Sequence, residues 1–226
     1  MGKPGPGSSA GRLLPLLVVG CTILGCGKGH RPPRTGPVRF SAEFESGSLG
    51  AVKPLDPEGR AWEVALRNDN GEASLPSTYR TWWYLRAEEV PVGTPMRLEF
   101  SQLGFRQFFV PVYSYDGRKW EYFDERDVTL VPSGATATGA DRLVVEARFT
   151  APTVWIARTF PYTTKDLAAF LQPLAASPYL RIETLGTSPR LNLPLQLITV
   201  RAPAPATPRE TIWIHARTDP AETGPS

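Results

Sequence analysis

Two carboxylates, Asp219 and Glu222, stand three positions apart behind the run Thr211-Ile-Trp-Ile-His-Ala216. That run is rich in β-branched and aromatic residues and predicts a buried strand over Thr211–Ala216. Polar groups gathered in the turn after a strand are where α/β enzymes place their chemistry. A carboxylate can ligate a metal ion, so this turn is the chemically capable part of the chain. Arg217 lies beside it, either as a hydrogen-bond donor near such a site or as a solvated charge. His215 lies inside the predicted strand, where an imidazole packs or caps the sheet more readily than it reaches Glu222. His30, the second of the two histidines, sits in a Gly- and Pro-rich stretch and is given no role.

The elements ahead of this turn divide into two groups. From Val38 to Thr159 short runs of alternating apolar and polar residues recur. They are Arg39–Glu45, Ala61–Arg67, Thr81–Ala87, Met96–Ser101, Phe108–Ser114, Trp120–Phe123, Leu143–Phe149 and Val154–Arg158. Turn signals such as Asn68-Asp69-Asn70-Gly71 and Asp116-Gly117 separate them. The pattern predicts an antiparallel β-sandwich over 38–159. Trp62, Trp82, Trp83, Trp120 and Trp155, spread over these runs, read as core residues rather than as a carbohydrate or peptide platform. Beyond Phe160 the pattern changes. Thr163 or Thr164 can cap a helix over Lys165–Leu174, with Leu167, Phe170, Leu171 and Leu174 on one face. Leu180–Leu185 and Leu193–Val200 predict strands around the turn Gly186-Thr187-Ser188-Pro189, and the order of elements over 160–226 looks like the start of an α/β domain.

Composition narrows the class. The 24 prolines and 20 glycines favour short strands and turns over long helices. The formal charge is +3, and Lys3 and Arg12 lie in a leader that has no acidic residue, so the remainder is nearly neutral. Nothing in that balance suggests a nucleic-acid surface. The basic start followed by the apolar run Leu13–Gly25 is too short for a stable membrane span and reads as an export signal over 1–26. Ile23-Leu24-Gly25-Cys26 looks like a bacterial lipoprotein processing site, with lipidation expected at Cys26 and Val18-Val19-Gly20-Cys21 offering Cys21 as the alternative. An ordinary signal peptide with incidental cysteines is the competing reading. Residues 27–37 form a tether. The chain is therefore expected to be an exported, membrane-anchored lipoprotein of the cell envelope, or else secreted or periplasmic. With both cysteines in the leader and its end, the folded part has no disulfide and no thiolate metal site.

The terminal turn resembles the first metal-binding motif of the zinc carboxypeptidases, especially the cytosolic carboxypeptidase subgroup. There a strand ends in Ala-Arg-x-His-Pro-Gly-Glu-Thr, and the His and Glu bind zinc. Ala216, Arg217, Pro220, Glu222 and Thr223 match; Asp219 stands at the position of the first His, and Ala221 replaces the Gly. Four more blocks resemble the same subgroup in the same order. They are Phe44-Glu45-Ser46-Gly47-Ser48-Leu49-Gly50, Trp82-Trp83-Tyr84-Leu85-Arg86, Phe160-Pro161-Tyr162-Thr163-Thr164-Lys165-Asp166-Leu167, and Leu185-Gly186-Thr187-Ser188 with Pro194–Thr199.

The resemblance implies a sandwich followed by the truncated start of a zinc carboxypeptidase domain, acting on the C-terminal bonds of peptide or protein substrates. It implies zinc, which polarises the carbonyl and activates water beside a glutamate base, and it places the base and the substrate-binding residues downstream. Glu222 and Asp219 are the only ligand positions it transfers. Glu222 as a ligand needs two imidazoles beside it and is otherwise a turn carboxylate. Asp219 is a working ligand or, next to Glu222, the mark of a degraded site. Tight zinc binding and peptidase activity are not expected of residues 1–226 alone. The alternative is a non-enzymatic envelope lipoprotein whose sandwich binds a partner. Tyr162, Thr163 and Asp166 are expected to pack the sandwich against the next domain.

Overall fold

Alternation gives each strand one apolar face, and in the computed structural model these faces meet between two five-stranded sheets. The structure describes residues 37–69, 71, 76, 79–135, 141–189, 191–202, 210–216 and 220–223. The expected leader, most of the tether, Cys21, Cys26, Arg217 and Asp219 lie outside them.

The first sheet holds β1 (Arg39–Ser41), β4 (Tyr84–Glu88), β10 (Thr153–Ala157), β6 (Val112–Ser114) and β7 (Glu121–Tyr122), in that spatial order. The second holds β2 (Val52–Pro54), β3 (Ala61–Ala65), β5 (Pro95–Ser101), β9 (Arg142–Arg148) and β8 (Val128–Val131). Leu85 is paired with Ile156 across β4 and β10, and Leu98 with Val145 and Phe100 with Leu143 across β5 and β9. These registers send Leu85, Ala87, Val154 and Ile156 inward from one sheet, and Trp62, Val64, Met96, Leu98, Phe100, Leu143 and Val145 inward from the other. Trp83 enters between them and stacks on Phe100, with ring centroids 4.2 Å apart.

One pair departs from the expected antiparallel plan. β3 and β5 run parallel, with Trp62 opposite Leu98 and Val64 opposite Phe100. The strand between them in sequence, β4, belongs to the other sheet. The chain therefore crosses the sandwich and returns, rather than turning back beside β3. The pattern also misses β2 and β8, the two edge strands of the second sheet. β2 is three residues long and ends in Pro54, as suits an edge where no ladder donor is needed. All five tryptophans named above are buried or half-buried, as core residues are; Trp62, Trp82 and Trp83 are buried.

After the sandwich comes α1 (Thr164–Leu171), continued by one 3-10 turn over Gln172–Leu174 with Pro173 inside it. Thr163 is the N-cap and forms a reciprocal capping box with Asp166. β11 (Leu180–Thr187) and β12 (Pro194–Val200) form an antiparallel hairpin with an irregularity between Thr184 and Gly186. The Ser188 hydroxyl closes its loop by accepting from the Leu193 amide at 3.0 Å. Of the expected apolar helix face only Leu171 is buried, while Phe170 and Leu174 are exposed.

The strand expected over Thr211–Ala216 is not formed. These residues are extended without ladder partners among the described residues, and Ile212, Trp213 and Ile214 are 84%, 66% and 84% exposed. β-branched composition makes a segment fit a half-buried sheet; it does not supply the neighbouring strand that satisfies the backbone.

Phe100 is fully buried and stacked on Trp83. Its replacement by Ala is expected to cost about 3–5 kcal/mol, measured as the loss of unfolding free energy in a urea titration.

Candidate functional site

The sandwich and the segment after it belong to one compact unit, Arg34–Ser226. Their junction is where three of the sequence blocks meet. Glu45 projects from the turn after β1. Its carboxylate accepts from the Thr164 amide at 2.9 Å and from the Thr164 hydroxyl at 2.5 Å. Lys165 Nζ lies 3.6 Å from its other oxygen. Thr164 opens α1, so a sandwich carboxylate sits where the helix has orphan N–H groups and positive dipole. The two hydrogen bonds dominate; Lys165 is 86% exposed and its ion pair adds little.

The turn that presents Glu45 is fixed by its neighbours. Trp82 Nε1 donates to the Ser46 carbonyl at 2.7 Å. Ser48 and Tyr84 exchange backbone hydrogen bonds of 2.9 and 3.1 Å, and Phe44 packs edge-on to Tyr84 with centroids 4.7 Å apart. At Gly47 an added Cβ would lie 2.1 Å from the Ala42 carbonyl oxygen, so only glycine fits. Upstream, Asp69 holds the entry to β4 by accepting from the Thr81 amide and hydroxyl and from the Trp82 amide. Burial pushes the Tyr84 phenol up to about 12, with the negative charge of Asp166 adding to it.

The terminal motif is only partly gathered here. Glu222 is exposed directly after the turn at 220–221. Thr223 is only 6% exposed, and its hydroxyl shares a 2.8 Å hydrogen bond with the hydroxyl of Thr159, just past β10. His215 is exposed and extended. Among the described residues no group of three or more His, Cys, Asp or Glu side chains could hold a metal ion. Asp219, outside those residues, is not placed.

Other charged groups outside the junction are structural. On the outer face of the second sheet Arg142, nearly buried, reaches Glu63 at 3.3 Å and Glu99 at 3.6 Å. Arg97 pairs with Glu99 at 2.8 Å and with Glu146. The Ser101 hydroxyl donates to Glu63 and is the main reason its carboxyl is held below the usual range. A shallow cleft over this face is lined by Arg97, Arg126 and Arg148, each already bonded to a carboxylate or carbonyl.

Residue type alone does not reveal Glu45, Thr159 or Asp69. Each bonds across more than ten residues of sequence, and the sequence trace of Glu45 is its place inside the block Phe44–Gly50 that resembles the carboxypeptidase subgroup. The Tyr84 shift gives a pH dependence. Below pH 10 the phenol is protonated in both states. From about pH 10 to 12 the unfolded chain has lost a proton that the folded chain retains, so stability falls as pH rises. Tyrosinate absorbance should show a late-titrating phenol that Tyr84→Phe removes; Tyr113, also raised to about 12 by burial and Glu121, remains.

Comparisons with known proteins agree with this architecture. Residues 40–159 match the family described as the cytosolic carboxypeptidase N-terminal domain. Among solved structures, a metallo-carboxypeptidase from Burkholderia cenocepacia superposes with a TM-score of 0.58 at 21% identity, over 74% of this chain and 40% of that one. A putative carboxypeptidase from Burkholderia mallei gives 0.57 at 18% identity, over 75% and 40%. A Pseudomonas aeruginosa metallo-carboxypeptidase in complex with (2-guanidinoethylmercapto)succinic acid gives 0.53 at 21%, over 73% and 40%. At these identities the likeness is one of fold, and the chain spans about 40% of the length of these structures. No curated protein matches. With more than half of its length matched by that family, the chain belongs to the family of the cytosolic carboxypeptidase N-terminal domain.

Proposed function

We propose that this chain supplies the N-terminal sandwich and the opening elements of a zinc metallocarboxypeptidase that removes C-terminal residues from peptide or protein substrates. The observation that carries this reading is the Glu45 junction. The family sandwich does not stop at its own last strand; it captures the first turn of the helix beyond it. The solved metallo-carboxypeptidases extend the likeness past residue 159, since they cover a larger share of this chain than residues 40–159 make up.

The donor set in this chain does not suit zinc by itself. A catalytic zinc takes three protein ligands, commonly with histidine nitrogen among them. The terminal motif offers Glu222 and, at the family's histidine position, Asp219. Glu222 is therefore proposed as one ligand position of a site that needs further donors, and no hydrolytic step is assigned to a residue of this chain. Export with lipidation at Cys26 or Cys21, and membrane attachment through that lipid, belong to the same proposal and rest on the leader sequence.

Elemental analysis after dialysis against a chelator tests the ligand reading. The protein should retain well below one zinc per chain, and Asp219→His should raise the retained zinc. Stoichiometric zinc in the unaltered protein, or zinc-dependent release of a C-terminal residue by it, contradicts the reading. No gain in Asp219→His removes Glu222 as a ligand position.

A further inference from the structure

The chain leaves β10 at Thr159, and Thr223, one residue beyond Glu222, comes back to bond it. We propose that Thr159 is a positioning residue, through which the sandwich fixes the turn that presents Glu222. The proposal rests on the reading of Glu222 as a ligand position.

The exit of β10 is held from several sides. The Arg158 amide donates to the Trp83 carbonyl at 3.1 Å, carrying the backbone pairing past the last residue of the strand. The Arg158 guanidinium donates to the Thr81 carbonyl at 2.8 Å and to Gln107 Oε1 at 3.2 Å. It also lies over two aromatic rings, 4.8 Å from the Phe109 centroid and 5.4 Å from that of Phe105. A cation satisfied on so many sides cannot swing without breaking several contacts together. Thr159 comes directly after it, so its hydroxyl is presented from a fixed backbone.

The other end is a short turn. The Thr223 amide donates to the Ala221 carbonyl at 3.0 Å, and the buried Thr223 side chain contrasts with exposed Glu222 beside it. Among the described residues the Thr223 hydroxyl meets the sandwich hydroxyl of Thr159. The geometry suits a task in which a carboxylate must face outward while its neighbour is anchored. Metal ligands depend on such supports for their orientation.

The test is amide hydrogen exchange of metal-free protein, so that failure of Glu222 to bind zinc does not enter the result. The amides of Glu222 and Thr223 should exchange more slowly than in an unstructured peptide. Thr159→Val should speed them by about fivefold, the equivalent of one ordinary hydrogen bond. Thr159→Ser should restore the original rate, and the core amides of Leu85 and Leu98 should not change. Thr223→Val removes the same bond from the other side, should give the same acceleration, and serves if Thr159→Val does not fold. Unprotected amides in the original protein, no acceleration in either Val variant, equal acceleration in the core, or no rescue by Ser each overturn the proposal.

Discussion

A helix that begins at the surface of another fold needs something to accept its first N–H groups. In this chain Glu45 does so. Its carboxylate binds the amide and hydroxyl of Thr164 while Thr163 and Asp166 complete the capping box behind it. A charge-assisted bond to a helix N-terminus is stronger than a neutral one. The direction in which α1 leaves the sandwich is set by this contact. The turn at 44–48 that presents Glu45 rests in turn on glycine at position 47 and on the Trp82 bond that holds Ser46.

The sandwich itself depends on the aromatic layer between its sheets. Trp83 stacks on Phe100, and Phe123 and Phe149 pack nearby with centroids 6.2 Å apart. The outer face of the first sheet carries a second cluster, with Trp82, Tyr84, Val112 and Ala157 under Phe44, Trp120 and Trp155. That second cluster is what places Tyr84 beside α1 and exposes its phenol to Asp166. The segment after α1 is different. Leu185, Leu195 and Val200 of the hairpin remain exposed, so its order comes from the ladder and its closed loop more than from burial.

Periodicity makes the inner strands legible. Met96–Ser101 alternates because one face lies on the core, and the structure places β5 there. The edge strands β2 and β8 escape because short, Pro-terminated or half-exposed runs carry little alternation. The parallel pairing of β3 and β5 escapes because pattern reports which face is buried and not which strand is the neighbour. The cap of α1 is readable from Thr163 and Asp166, whose partners are local. Glu45 is not, since its partner lies in a separate element. Thr211–Ala216 misleads for the opposite reason: its residue types suit a strand, and ladder formation is a property of a partner it does not have among the described residues.

The coupling between Glu45 and α1 is the central claim. A double-mutant cycle with Glu45→Ala and Thr164→Val, read in the exchange rates of the α1 amides, measures it. Each single change should speed exchange in the first turn of the helix, and Thr164→Val should add little once Glu45 is gone. Independent, additive effects of the two substitutions, or an α1 indifferent to Glu45→Ala, would contradict it.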